Sequence, residues 1–99
     1  MRAALVAGFA TTLLVLGTGV SSARVRTCHV AADATIHVSS ARNMTCRAAA
    51  RDIRRYRGSI STRFRTPGGF TCRRVSGNRL QGQWRCVNGA KAYRIEFAD

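Results

Sequence analysis

The chain has 99 residues, of which 17 are basic and 4 acidic, so its net charge at neutral pH is +13. This length allows one domain with a thin core and excludes a chain of several domains. The charge favours acidic partners, namely nucleic acid, an anionic lipid surface or an acidic wall polymer. Because 16 of the basic residues are arginine and alanine and glycine are abundant, the codon bias of a GC-rich genome explains part of the charge equally well.

The first 23 residues have the layout of a cleavable secretion signal. Arg2 gives a positive start, Ala3–Val20 is an uncharged apolar run, and Ser21-Ser22-Ala23 supplies small residues for a signal peptidase. A retained anchor is the alternative, since about 18 apolar residues just span a bilayer. We expect cleavage, because glycine, threonine and serine dilute the run. The mature chain, residues 24–99, would be secreted or cell-envelope-associated, with a net charge of +12 once Arg2 is lost.

The first elements of the mature chain are predicted to be short strands followed by a helix. Thr27–Val38 alternates apolar and polar residues and predicts one or two strands. The clearest helix is predicted within Ser39–Gly58, with Gly58 as its terminator. The candidate N-caps are Ser40, Asn43 and Thr45. The shared apolar face comprises Cys46, Ala49, Ala50, Ile53 and Tyr56.

The last third of the chain is predicted to be a β-meander. Ser59–Gly69 is a loop or a frayed strand that ends in a Pro-Gly-Gly turn. The three predicted strands are Phe70–Val75, Leu80–Val87 and Ala90–Phe97. Asn88-Gly89 predicts a two-residue type I′ hairpin turn between the last two strands.

That turn predicts the strand register. Val87 would lie opposite Ala90, and Trp84 would face Tyr93. Alternation then gives one apolar face, which the helix would cover by packing on Trp84, and one wet face that carries Arg85, Arg94 and Glu96.

Four cysteines in an oxidising compartment predict two disulfides. The cysteines are Cys28, Cys46, Cys72 and Cys86. A hairpin that aligns Cys72 with Cys86 favours that pair and leaves Cys28 with Cys46, although Cys46 could equally join Cys72 or Cys86. No Cys-x-x-Cys motif indicates a redox site, and spacings of 18, 26 and 14 lack the close pairs of a zinc site. We therefore predict no metal and no cofactor.

A catalytic site would have to draw on six side chains. The histidines are His29 and His37, and the acids are Asp33, Asp52, Glu96 and Asp99. Small secreted ribonucleases combine such groups with arginine, so His37 and Glu96 are the pair to consider. Their positions on polar faces of strands favour a structural role, and we predict that the protein is not an enzyme.

The arginines form the one constellation that suggests a ligand. The helix stripe, our candidate polyanion-binding surface, comprises Arg47, Arg51, Arg54 and Arg55. A second group around the loop comprises Arg63, Arg65, Arg73 and Arg74. The guanidinium fork suits phosphate and carboxylate. A solvated face with no ligand is the alternative for both groups.

Three segments resemble a group of small secreted proteins. They are Thr45-Cys46-Arg47-Ala48-Ala49, Gly69-Phe70-Thr71-Cys72-Arg73 and Trp84-Arg85-Cys86-Val87-Asn88-Gly89. Together they resemble four-cysteine secreted proteins of unknown function from high-GC actinobacteria. The resemblance covers most of residues 28–97. It implies an α+β fold outside the cell and no particular activity.

The sequence thus predicts an α+β domain, with one helix packed on a three- to four-stranded antiparallel sheet and two disulfides. The predicted function is a non-catalytic binding or interaction domain at the envelope or outside the cell, acting on an anionic partner. The alternative is an inhibitor of an extracellular enzyme that uses the Arg63–Gly69 loop. A small nuclease ranks last.

Overall fold

The computed structural model describes residues 24–99. The predicted signal segment, residues 1–23, lies outside the described residues. Residues 24–99 form one helix and one six-stranded sheet. The elements are β1 (Val25–Ala31), β2 (Ile36–Arg42), α1 (Cys46–Arg54), β3 (Arg63–Arg65), β4 (Thr71–Gly77), β5 (Gln81–Asn88) and β6 (Lys91–Ala98). The strands pair antiparallel in the order β1-β2-β6-β5-β4-β3. The α+β class is confirmed, whereas the prediction of three to four strands was too low.

Segments that the sequence left ambiguous form the additional strands. Thr27–Val38 yields two strands, and the second continues through Ser39 to Arg42, where a helix start was predicted. This segment pairs with β1 on one side and β6 on the other, so its backbone groups are satisfied in the sheet. Arg63–Arg65 lies in the predicted loop and folds back onto β4 after the Thr66–Gly69 turn.

The helix is shorter than predicted at both ends. Thr45 is the N-cap, and its hydroxyl accepts a hydrogen bond from the Ala48 amide at 3.0 Å. The helix ends at Arg54, four residues before Gly58. Beyond it the Tyr56 ring stacks on Phe64 with a centroid distance of 4.4 Å, which draws the chain towards β3.

The β5–β6 hairpin has the predicted faces but a different register. Val87 pairs with Ala92 and Trp84 with Ile95, so each partner is two residues further along than predicted. The turn residues are Gly89 and Ala90, of which Gly89 alone has a positive φ, +60°. This fits a type II′ turn, which has glycine at its first central position, better than the predicted type I′ turn. A shift of two residues preserves the alternation, so the predicted apolar and wet faces survive the error.

The helix covers one half of the sheet. It packs mainly against β1 and β2, where Ala49, Ala50 and Ile53 are buried, rather than over Trp84. Trp84 lies under the chain that follows the helix, and its indole Nε1 donates a hydrogen bond to the Ser61 carbonyl at 2.8 Å. No helix within residues 24–99 has the length and hydrophobicity needed to cross a membrane.

Both disulfides have the favoured pairing. Cys28–Cys46 links β1 to the first residue of the helix, and Cys72–Cys86 joins residues that lie directly opposite each other on β4 and β5. The helix is thus tied to the edge of the sheet, while the second bond lies in the core. Two disulfides in a small domain are consistent with an extracellular protein.

Asp52, one of the acids considered for a catalytic site, is a buried link between the helix, the sheet and a turn. Its carboxylate accepts hydrogen bonds from the Tyr93 hydroxyl at 2.6 Å and from the Gly68 amide at 2.8 Å. A Cβ at position 68 would collide with this carboxylate, so glycine is required there. Burial, reinforced by the Asp52 carboxylate, raises the pKa of the Tyr93 hydroxyl far above its ordinary value.

We expect Tyr93 to make the protein less stable in alkali. Folding raises its pKa, so its contribution is complete below the unfolded pKa of about 10 and declines as the pH rises further. By about pH 11 the loss is about 1.4 kcal/mol. Urea unfolding at about pH 9 and pH 11 should therefore show a smaller loss for Tyr93→Phe than for wild type. Burial also raises the pKa of Tyr56, but this residue is present in both proteins, so its effect on stability cancels in the comparison. Equal losses would contradict the prediction.

Candidate polyanion-binding surfaces

The open face of the sheet carries a row of arginines that crosses four neighbouring strands. Arg63 lies opposite Arg73, Arg73 opposite Arg85, and Arg85 opposite Arg94. All four residues are exposed and lie on the face turned away from the helix. Because neighbouring strands lie about 4.8 Å apart, the row spans about 14 Å. We call these four residues the arginine row.

The arginine row is unfavourable for the isolated domain. Like charges directly opposite each other on neighbouring strands destabilise a sheet. Arg65 and Arg42 lie on the same face and add to the positive potential. Within residues 24–99, two of the chain's four acids are engaged elsewhere, because Asp52 is buried and Asp33 accepts hydrogen bonds in the β1–β2 turn. An anionic partner would relieve this repulsion.

The helix stripe lies on the other side of the domain. All four of its arginines are exposed. Arg54 has a structural contact as well, since its Nε donates a hydrogen bond to the Ala32 carbonyl at 3.0 Å. The remaining three, Arg47, Arg51 and Arg55, lie one helical turn apart. The stripe therefore remains a candidate surface, separate from the arginine row.

The structure divides the second predicted group of arginines. Arg63, Arg65 and Arg73 lie on the open face, whereas Arg74 lies on the core side with its guanidinium 6.0 Å from the Trp84 ring centroid. The sequence identified Arg85 and Arg94 on the wet face by alternation. It missed their alignment with Arg63 and Arg73, because that depends on the pairing of β3, β4 and β5.

The loop assigned to the inhibitor alternative consists of a short edge strand and a tight turn. Its first part is β3, and its second part is the tight Thr66–Gly69 turn. The Gly68 amide donates to Asp52, and the Gly68 carbonyl accepts from the Asn88 side chain at 3.1 Å. The turn is thus tied to the helix and to β5, whereas β3 is an edge strand that pairs only with β4.

Three of the six candidate catalytic side chains come together. His37 lies directly opposite Glu96 on β2 and β6, and the His29 ring lies 6.4 Å from that of His37. Asp33 and Asp52 instead accept hydrogen bonds that hold a turn and the core together. The His37–Glu96 pair therefore matches the pair considered from the sequence, on the same face as the arginine row.

Neither the metal-ligating residues nor comparisons with known proteins assign a function to the chain. Among residues 24–99, no group of three or more His, Cys, Asp or Glu side chains is arranged to hold a metal ion. The chain matches no protein-family model, and no curated protein or solved structure is significantly similar to it. The resemblance to four-cysteine actinobacterial proteins thus stays a prediction.

Proposed function

We propose that this protein is a secreted, non-catalytic binding domain that acts on polyanionic partners at the cell envelope or outside the cell. The observation that carries the proposal is the arginine row. It is a continuous line of positive charge on a rigid sheet, with every member exposed. Codon bias explains the number of arginines but not their alignment.

The chemistry of the row suits a partner with repeated anionic groups. Each guanidinium offers a planar fork of donors to a phosphate, sulfate or carboxylate. The strand spacing of about 4.8 Å holds the backbone positions of the four arginines at regular intervals, so binding orders only their side chains, at about 0.5–1.5 kcal/mol each. Such contacts follow the backbone charge of a polymer and carry no sequence preference.

The test compares two variants that lose the same charge. R63Q/R73Q/R85Q weakens the arginine row, and R47Q/R51Q/R55Q weakens the helix stripe, with Arg54 kept because of its bond to Ala32. Wild-type retention on heparin and binding to single-stranded DNA should fall steeply with salt. The log–log slope should flatten by about 2 units in the row variant, since each lost phosphate contact removes roughly 0.7.

The charge-matched design makes each outcome decisive. We expect the row variant to lose more affinity than the stripe variant. A larger loss in the stripe variant would assign the site to Arg47, Arg51 and Arg55 instead. Equal losses would mean that net charge alone drives binding, and no retention of wild type at low salt would overturn the proposal.

Two further measurements check the non-catalytic part of the proposal. Incubation with RNA should release no fragments; fragments that disappear with His37→Gln and Glu96→Gln would identify a nuclease. A protease complex that persists at high salt would favour the inhibitor alternative, because a polyanion surface loses its affinity under those conditions.

A further inference from the structure

A small residue on the open face is surrounded by three arginines. Ala92 of β6 lies opposite Arg42 of β2, and Arg94 follows it two residues later on the same face. Arg85 of β5 pairs with Arg94 and lies diagonal to Ala92. Ala92 is only 7% exposed although it lies on the solvent side of the sheet. It therefore lies at the floor of a depression whose lining includes the three arginines.

The depression is lined by cationic residues and is large enough to admit a small anion. Arg42, Arg85, Arg94 and Ala92 line a volume of about 300 Å³. A second volume of about 220 Å³ adjoins it towards the β5–β6 turn and shares Arg42, Arg85 and Ala92. The residues that line the two volumes include no aspartate or glutamate. We call these two volumes together the Ala92 site.

One of the arginines that line the site has an unsatisfied donor. The Nε of Arg42 is shielded from solvent and has no hydrogen-bond partner among the described residues, so a ligand in the depression reaches it only when the Arg42 side chain turns outward. A buried polar group without a partner is unfavourable, and more so when it belongs to a cation. An oxyanion that enters the depression would supply the acceptor that the domain itself does not.

We propose that the Ala92 site binds a phosphate dianion, either the free ion or a monoester. Three arginines line the site, each with a guanidinium fork, and a monoester offers three free oxygens and up to two negative charges, whereas a carboxylate or a phosphodiester offers two oxygens and one charge. Free inorganic phosphate and a phosphate at the end of a polymer share this chemistry. The inference rests on the proposed function, because the Ala92 site is part of the same basic face.

The test is a titration of the ¹⁵N-labelled, oxidised protein at constant ionic strength with inorganic phosphate, glycerol phosphate or dimethyl phosphate. The first two should shift the Arg42 Nε–H and Ala92 amide signals saturably, with a Kd of about 1 mM or below. Binding of inorganic phosphate alone would assign the site to the free ion, and binding of both would admit polymer ends. Dimethyl phosphate should bind at least roughly tenfold more weakly.

Two charge-conserving variants test the geometry. Arg42→Lys keeps the charge but removes the Nε donor and the fork, and Ala92→Leu fills the floor. Each should weaken phosphate binding roughly tenfold or more, whereas Arg79→Lys in the exposed β4–β5 turn should not. Unchanged binding in both site variants, no saturable shift in wild type, or equal binding of dimethyl phosphate would each overturn the inference.

The two proposals fail in different ways. Both site variants keep the net charge, so they should still be retained on heparin. If wild type is retained on heparin and phosphate causes no shift at Arg42, only the Ala92 site is contradicted. If wild type is not retained at low salt, the polyanion proposal itself is contradicted.

Discussion

Reduction of both disulfides is expected to unfold the protein. Each bond closes a short loop, of 18 and 14 residues, and should contribute about 3 kcal/mol. A domain of this size has a total stability on the order of 4–11 kcal/mol. Loss of both bonds therefore removes most of the stability. Circular dichroism melts with and without a phosphine reductant measure this, and an unchanged cooperative melt would show that the disulfides are dispensable.

The two disulfides should contribute differently to the free energy of unfolding, and the more deeply buried one should contribute more. Their loop lengths differ too little to matter, about 0.2 kcal/mol in closure entropy. Cys72 and Cys86 are fully buried, so C72A/C86A also leaves a cavity in the core. C28A/C46A releases the start of the helix from β1 instead. We expect C72A/C86A to be the less stable variant in urea unfolding; the reverse order would contradict this explanation.

Asp52→Ala is expected to destabilise the protein by about 3 kcal/mol. The substitution leaves the buried Tyr93 hydroxyl without its acceptor, which costs roughly 1–3 kcal/mol, and removes the partly buried hydrogen bond from the Gly68 amide, which adds about 1 kcal/mol. For a domain of this size, the melting temperature should fall by roughly 12 °C or more.

Glu96→Ala is the matched control for Asp52→Ala. It removes one acid by the same substitution, but from an exposed position on the open face. Its effect should stay within about 0.5 kcal/mol. Comparable losses in the two variants would mean that the excess positive charge, and not the buried hydrogen bonds of Asp52, governs stability.

The local sequence pattern was sufficient to predict several features of the structure. The cysteine positions and the hairpin around Cys72 and Cys86 led to the favoured pairing, which is confirmed. Thr45 was among the predicted caps because its hydroxyl lies within reach of the amides of the first turn. The wet face with Arg85 and Arg94 was predicted correctly despite the wrong register, because a slip of two residues leaves every side chain on its own face.

Only the tertiary structure decided which segments meet. Ser39–Arg42 and Arg63–Arg65 have no strong local preference, and they became strands because β6 and β4 satisfy their backbone groups. The burial of Asp52 depends on Tyr93, 41 residues away along the chain. The arginine row and the Ala92 site arise in the same way. They require the register of several strands at once, and that register is set by the packing of the whole sheet rather than by the spacing of residues along any one strand.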